Sequence, residues 1–290
     1  MLRFAVLLLC LALAAPAFAQ TPRMATQDEI ASETQRFLIE GPQHDQRIVS
    51  VWRPANAGDT PLPVLYVADG TFALYTFVAW LKPAIERGEA PPIMAVGFDP
   101  DPAHRSEEYI PHWPGGRTPF ATHEAWFLNV IIPWAEQNVY ASPNVRAIVG
   151  VSNGADFAVA MAAAHPDLFI GIVAHSPLGT NNLRVSHSHA GQRWVLSAGR
   201  PGQERIAAAN VERIAAAIHG AHGAVRICMG PWGHDMNAWR DLSPGETLWA
   251  LGLAAGNLIS PQERQYCGPW SANDAAALLD GAATHTKQSP

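Results

Sequence analysis

The sequence predicts an α/β domain, a mostly parallel central sheet covered by helices on both faces. Three observations carry that expectation. Short, wholly apolar segments recur along the chain, helical segments fall between them, and Gly150-Val151-Ser152-Asn153-Gly154 joins one such apolar segment to one such helix. A strand that is apolar throughout belongs to a sheet covered on both sides, because a half-solvated sheet alternates apolar and polar residues.

The chain opens with Arg3, an apolar run over 4–15 and Ala17-Phe18-Ala19 before Gln20. That is the pattern of a secretory signal peptide over 1–19, and it predicts an exported protein, periplasmic or secreted. The run is too short for a retained membrane span, and no later segment is long and apolar enough to be one. Residues 34–40 and 47–53 read as two strands joined at Gly41-Pro42, and 54–63 as a Pro- and Gly-containing loop. Residues 64–68 form a continuous apolar strand stopped by Asp69-Gly70, 72–85 a helix, and 93–97 the next buried strand.

The stretch 99–117 is rich in Pro, His and Trp and too long for a plain connection, which marks it as functional. A helix over 125–139, a strand over 145–149 and an Ala-rich helix over 155–164 follow. Strands over 170–174, 193–198 and 224–229 and a helix over 206–219, closed by Gly220, complete the domain, predicted to span 20–258. Residues 259–290, polar and rich in small residues, read as a loosely ordered tail.

The composition excludes several classes of function. A formal net charge of −6, with Lys82 and Lys287 the only lysines, offers no electrostatic footprint for nucleic acid. There is no C-x-x-C or other metal-ligand spacing, so no metal is expected, and His187-Ser188-His189 reads as a solvated loop. Cys228 and Cys267 remain after cleavage, either as a disulfide tying the tail to the last strand or as one buried and one exposed thiol.

A strand that turns sharply into a helix at a serine, with glycines making room, is a nucleophile elbow. It lifts the Ser152 hydroxyl clear of the backbone at a helix N-terminus, where an oxyanion is favoured. A serine hydroxyl needs a neutral imidazole beside it and an acid to orient that imidazole. His234, in the loop after the last strand, fits the base. His175, directly after a strand, competes, but no acid loop precedes it in the order serine, acid, histidine. Glu204 is the one carboxylate on the loop 199–204 and is the expected acid. The expected oxyanion donors are the backbone N–H of Asn153 and that of Thr71 or its neighbour in Asp69-Gly70-Thr71-Phe72.

The chain resembles the esterase D and enterochelin-esterase-like family of α/β-hydrolases. The resemblance rests on residues 65–70, 105–111 and 150–154, on Ser197-Ala198-Gly199 with Glu204, and on Gly233-His234-Asp235 with Trp239. It implies the α/β-hydrolase fold, a small-molecule ester substrate, no cofactor, and catalysis by Ser152, His234 and Glu204. Two positions depart from the pattern, Ala155 where many relatives have a glycine and the late placement of Glu204 on its loop. The same groups would serve acyl transfer, and a chain keeping only the fold would be a silent binding protein. His112, Trp113, His175 and Trp232 are expected around the substrate pocket, and Arg105 and Glu108 are expected to pair within the long loop.

Overall fold

A computed structural model describes residues 23–271 other than 56, 115, 180–182 and 186, so the expected signal peptide and residues 272–290 lie outside the described residues. The strands are β1 (Gln35–Glu40), β2 (Gln46–Trp52), β3 (Leu62–Ala68), β4 (Met94–Phe98), β5 (Ala141–Val151), β6 (Gly171–His175), β7 (Arg193–Gly199), β8 (Ala224–Gly230) and β9 (Cys267–Pro269). They form one sheet in the order β1-β2-β4-β3-β5-β6-β7-β8-β9. β4, β3, β5, β6, β7 and β8 run parallel, while β1 and β2 at one edge and β9 at the other are antiparallel.

The helices are α1 (Gln27–Glu33), α2 (Gly70–Val78), α3 (Leu81–Glu86), α4 (Arg105–Tyr109), α5 (Thr118–Trp126), α6 (Ile132–Asn138), α7 (Asn153–Ala164), α8 (Glu204–Gly220), α9 (Met236–Asp241), α10 (Pro244–Ala250) and α11 (Pro261–Tyr266). Strand side chains alternate between two cores. In β3, Val64, Tyr66 and Ala68 pack under α5 to α8, and Leu65 and Val67 under α2, α3, α9 and α10. Every residue of the strand is therefore held in apolar surroundings, which is why it reads as an unbroken apolar run. No helix among the described residues is long and apolar enough to cross a membrane.

The helix expected over 72–85 is two, α2 and α3. Pro83 has no N–H to donate to the carbonyl four residues back, and the chain turns between Val78 and Leu81. The helix expected from 125 begins earlier, at Thr118, with Pro119 in its first turn. A π-helical turn, Phe127–Ile131, stands just ahead of Pro133, where the missing N–H interrupts the bonding ladder. The long stretch 99–117 contains α4, too short to leave a helical period in the sequence.

The tail expected from 259 does not begin there. Helix α11 has a Ser260 capping box, β9 pairs with β8, and Cys267 is disulfide-bonded to Cys228. Capping, pairing and cross-link each order residues that composition alone makes look loose. The disulfide closes a sequence separation of 39 residues, for which chain entropy gives about 4 kcal/mol of stabilisation. Reduction under native conditions, or the double variant Cys228→Ser/Cys267→Ser, is expected to lower stability by about that amount in urea unfolding. An unchanged midpoint would show that the cross-link adds nothing.

Candidate active site

Ser152 lies between β5 and α7 with φ 56° and ψ −127°, a conformation that L-residues rarely adopt. The flanking glycines make the turn possible. A Cβ on Gly150 would lie 2.2 Å from the Gly154 carbonyl oxygen, and one on Gly154 would lie 2.9 Å from Asp69 Oδ2. The turn is fixed from below by the Ser152 N–H, which donates to the His175 carbonyl at 2.9 Å.

Ser152, His234 and Glu204 meet at the carboxyl ends of the parallel strands. Ser152 Oγ is 3.0 Å from His234 Nε2, and His234 Nδ1 is 2.6 Å from Glu204 Oε1. Nδ1 therefore donates to the carboxylate, which leaves Nε2 free to accept from the serine. Glu204 is the first residue of α8 and is completely buried, whereas the His234 side chain stays 23% exposed. Burial pushes the Glu204 carboxyl up, but the bonds from His234, the Gly199 N–H and Ser176 outweigh it and hold the acid below its ordinary range. The group is thus an anion facing the imidazole.

The sequence reading missed the supports of this carboxylate. Ser176 Oγ donates to Glu204 Oε2 at 2.7 Å, the Gly199 N–H donates to the same oxygen at 2.7 Å, and Trp239 Nε1 donates to Ser176 Oγ at 2.9 Å. The Trp239 ring also stands edge-on to the His234 ring, with centroids 4.7 Å apart. Trp239 was visible in the sequence only as a matching residue. Ser176 directly follows a buried strand and carried no signal of its own.

A cleft of about 450 Å³ opens at Ser152 and His234, lined further by Asp69, Phe72, Arg105, Met236 and Trp239. Four expected pocket residues lie elsewhere. His175, the last residue of β6, is fully buried and bonded to Ser197 and Ser243, and burial pulls its imidazole down to about 3. Trp232 is packed in the core against Tyr266. His112 lines a larger cavity of about 820 Å³ between α5, α7 and the loop after β6, and Trp113 is 37% exposed without lining the Ser152 cleft. His189, expected to be solvated, is buried against Gln192.

The expected oxyanion donors also divide. Asn153 is the first residue of α7, so its N–H has no acceptor within the helix. The Thr71 N–H is already committed to Asp99 Oδ1 at 3.0 Å, and the Thr71 hydroxyl to Asp99 Oδ2 at 2.5 Å. Gly70, which opens α2, is the neighbouring amide without an intrahelical acceptor. The expected Arg105–Glu108 pair does not form. Arg105 forks onto Asp69, and Glu108 accepts both Nη groups of the buried Arg47.

The sheet order, the elbow and the position of Ser152 define the α/β-hydrolase class. The model of the Esterase family matches residues 44–287, and the chain belongs to that family. Among solved structures it is similar to the enterobactin esterase of Shigella flexneri in the presence of 2,3-di-hydroxy-N-benzoyl-glycine, at 19% identity and a TM-score of 0.60, over 79% of this chain and 60% of that one. It is also similar to the siderophore hydrolase EstA of Aspergillus nidulans, at 17% identity and 0.58, over 75% of this chain and 94% of that one. The BES protein of Bacillus cereus gives 16% identity and 0.58, over 73% and 92%. At these identities the likeness is one of fold, and the chain spans about three fifths of the enterobactin esterases it matches. No curated protein sequence matches it.

Asp156, one turn beyond Ser152, is a buried acid outside the hydrogen-bonded trio. Its Oδ1 accepts the Gly179 N–H at 2.9 Å, and Oδ2 has no partner among the described residues. Burial pushes the carboxyl up to about 7, against the pull of the Gly179 and Leu178 amides and of Arg105. The folded protein keeps this proton where the unfolded chain, with the ordinary value of 3.8, has released it. Stability contributed at Asp156 therefore falls as pH rises from about 4 to about 7 and is level above that. Asp156→Asn cannot ionise and escapes the loss. Its stability relative to wild type is expected to rise through that window by up to about 1.4 kcal/mol per pH unit, measured by urea unfolding between pH 5 and 8. A constant difference across the range would refute the assignment.

Proposed function

We propose that this protein is an exported serine esterase that cleaves carboxylic esters through an acyl-enzyme. The observation that carries the reading is the unbroken run of short bonds from Glu204 through His234 to a strained, cleft-facing Ser152. His234 Nε2 takes the Ser152 proton as Oγ attacks the ester carbonyl carbon, and the carbonyl oxygen becomes an oxyanion at the start of α7. The C–O bond to the alcohol then breaks, and the leaving oxygen receives the proton from His234. Water, deprotonated by the same imidazole, attacks the acyl-enzyme, releases the acid and returns Ser152. Glu204 stays ionised and stabilises the imidazolium that forms twice in the cycle.

The substrate side of the reading is an ester with an aromatic group near the scissile bond. Phe72 is 54% exposed and lines the cleft with Met236 and Trp239, an apolar surface suited to a ring. Relatives of this fold are named as enterobactin, siderophore and ferulic acid esterases. Export is supported by the 1–19 leader pattern and by a disulfide of the kind that persists in oxidising compartments.

A fluorophosphonate is expected to label the folded protein once, at Ser152, and to leave Ser152→Ala unlabelled. Ser152→Ala and His234→Ala are each expected to lose at least about 10³-fold in kcat on an aryl ester, with the double variant little worse than either, because the groups act as a unit. Glu204→Gln is expected to lose about 10²- to 10⁴-fold. Folded wild-type protein that takes no label and hydrolyses no ester would leave a binding protein as the better account.

A further inference from the structure

Helix α4 reaches both loops that frame the start of α7. Arg105 donates Nε–H and Nη2–H to the two carboxylate oxygens of Asp69, each at 2.7 Å. Tyr109 Oη accepts the Asp69 N–H at 2.9 Å. Ser106 Oγ, next to Arg105, accepts from Asn153 Nδ2 at 3.0 Å. The other end of the helix is anchored away from the cleft, where the buried Glu108 holds Arg47 and accepts the Asp101 N–H. The helix therefore ties the loop after β3 to the residue that follows Ser152.

Asp69 stands in an exacting place. It has φ 59° and ψ 48°, and the space a Gly154 side chain would need is taken by its Oδ2. Its carboxylate therefore lies against the first turn of α7, in the positive potential that an oxyanion on a substrate would also use. Two negative charges there oppose each other. Arg105, partly exposed in the same cleft, covers both oxygens of Asp69 with a fork that fixes distance and direction.

We propose that Arg105 is a positioning residue of the oxyanion site, which neutralises Asp69 beside the start of α7 and, together with Ser106, holds the loop after β3 against the elbow. The proposal rests on the esterase reading of Ser152. Arg105 acts through Asp69, so the prediction is a loss confined to the transition state. Binding of the uncharged ester is left nearly as it was.

The test compares wild type, Arg105→Gln and Asp69→Asn/Arg105→Gln on one neutral aryl ester. It also measures affinity for an aryl trifluoromethyl ketone, which adds the serine oxygen to its carbonyl carbon and bears an oxyanion. Arg105→Gln is expected to lose about 10²-fold in kcat, with KM within about threefold and ketone affinity falling alongside kcat. The double variant, with both charges gone and both side chains still able to hydrogen-bond, is expected to recover at least about tenfold over Arg105→Gln. A folded Arg105→Gln that keeps kcat and ketone affinity overturns the proposal, and so does a double variant no better than the single one. If Arg105→Gln does not fold, Arg105→Lys keeps the charge without the fork and should hold kcat within about tenfold of wild type. A folded Lys variant whose kcat falls further while ketone affinity is unchanged overturns it. Fluorophosphonate labelling is read on the same samples: loss in the variants alone concerns Arg105, whereas an unlabelled wild type removes the esterase reading and this proposal together.

Discussion

A carboxylate with no exposure to water must have its charge satisfied by protein groups, and Glu204 is such a carboxylate. Its three partners come from three places in the chain, the Gly199 amide at the end of β7, Ser176 after β6 and His234 after β8, and Trp239 on α9 in turn holds Ser176. Each bond is possible only if the sheet holds those strand ends level with one another. The arrangement of β6, β7 and β8 is therefore specified by polar geometry at the top of the sheet as well as by apolar burial along it. Removing one partner would leave a buried charge partly unmet, a cost well above that of a surface bond.

The opposite side of the cleft is organised around a second buried-charge problem. Arg47 and Glu108 satisfy one another below it, and Arg105 and Asp69 satisfy one another at its edge. The two pairs sit at opposite ends of the five-residue α4, so a helix too short to be stable alone is held at both ends by ion pairs. The catalytic candidates hang from β5, β7 and β8, while α4 reaches across from the β4 side. The cleft at Ser152 is the seam between these two bonded groups.

Much of the sheet and the serine–histidine–glutamate grouping was legible in the sequence, for a physical reason. Strands buried on both faces leave continuous apolar runs, and a strand-to-helix turn needs glycines at fixed offsets, so Gly150, Ser152 and Gly154 announce themselves. His234 and Glu204 follow from position after strands. The pocket was not legible, because a Trp or His in a loop carries no sign of which way it faces. Trp232 turned inward against Tyr266, and His112 turned towards the cavity along α7. Phe72, read only as a helix start, faces the cleft. Arg105 and Glu108 are three apart and opposite in charge, which suggests a local pair, yet Glu108 took the more deeply buried Arg47 of β2 and left Arg105 to Asp69 at the cleft edge. Burial decides such contests, since an ion pair gains more where solvent screening is weaker.

The same logic explains why His175 is present without competing for Ser152. It ends β6 at the carboxyl edge of the sheet, where a base might stand, one strand from the elbow. Ser243 Oγ donates its single proton to the Trp239 carbonyl at 2.6 Å, so at His175 Nε2 it can only accept, and the imidazole must carry its hydrogen there. Nδ1 then accepts from Ser197 at 2.7 Å. With both nitrogens committed and burial disfavouring its charged form, His175 has no lone pair left for a proton from outside. Its bonds run to α9 through Ser243 and Trp239, the helix whose tryptophan stands against His234. The buried histidine is thereby a brace beneath the exposed one. A single loop after β8 can then stay accessible for chemistry while its geometry is set from the interior.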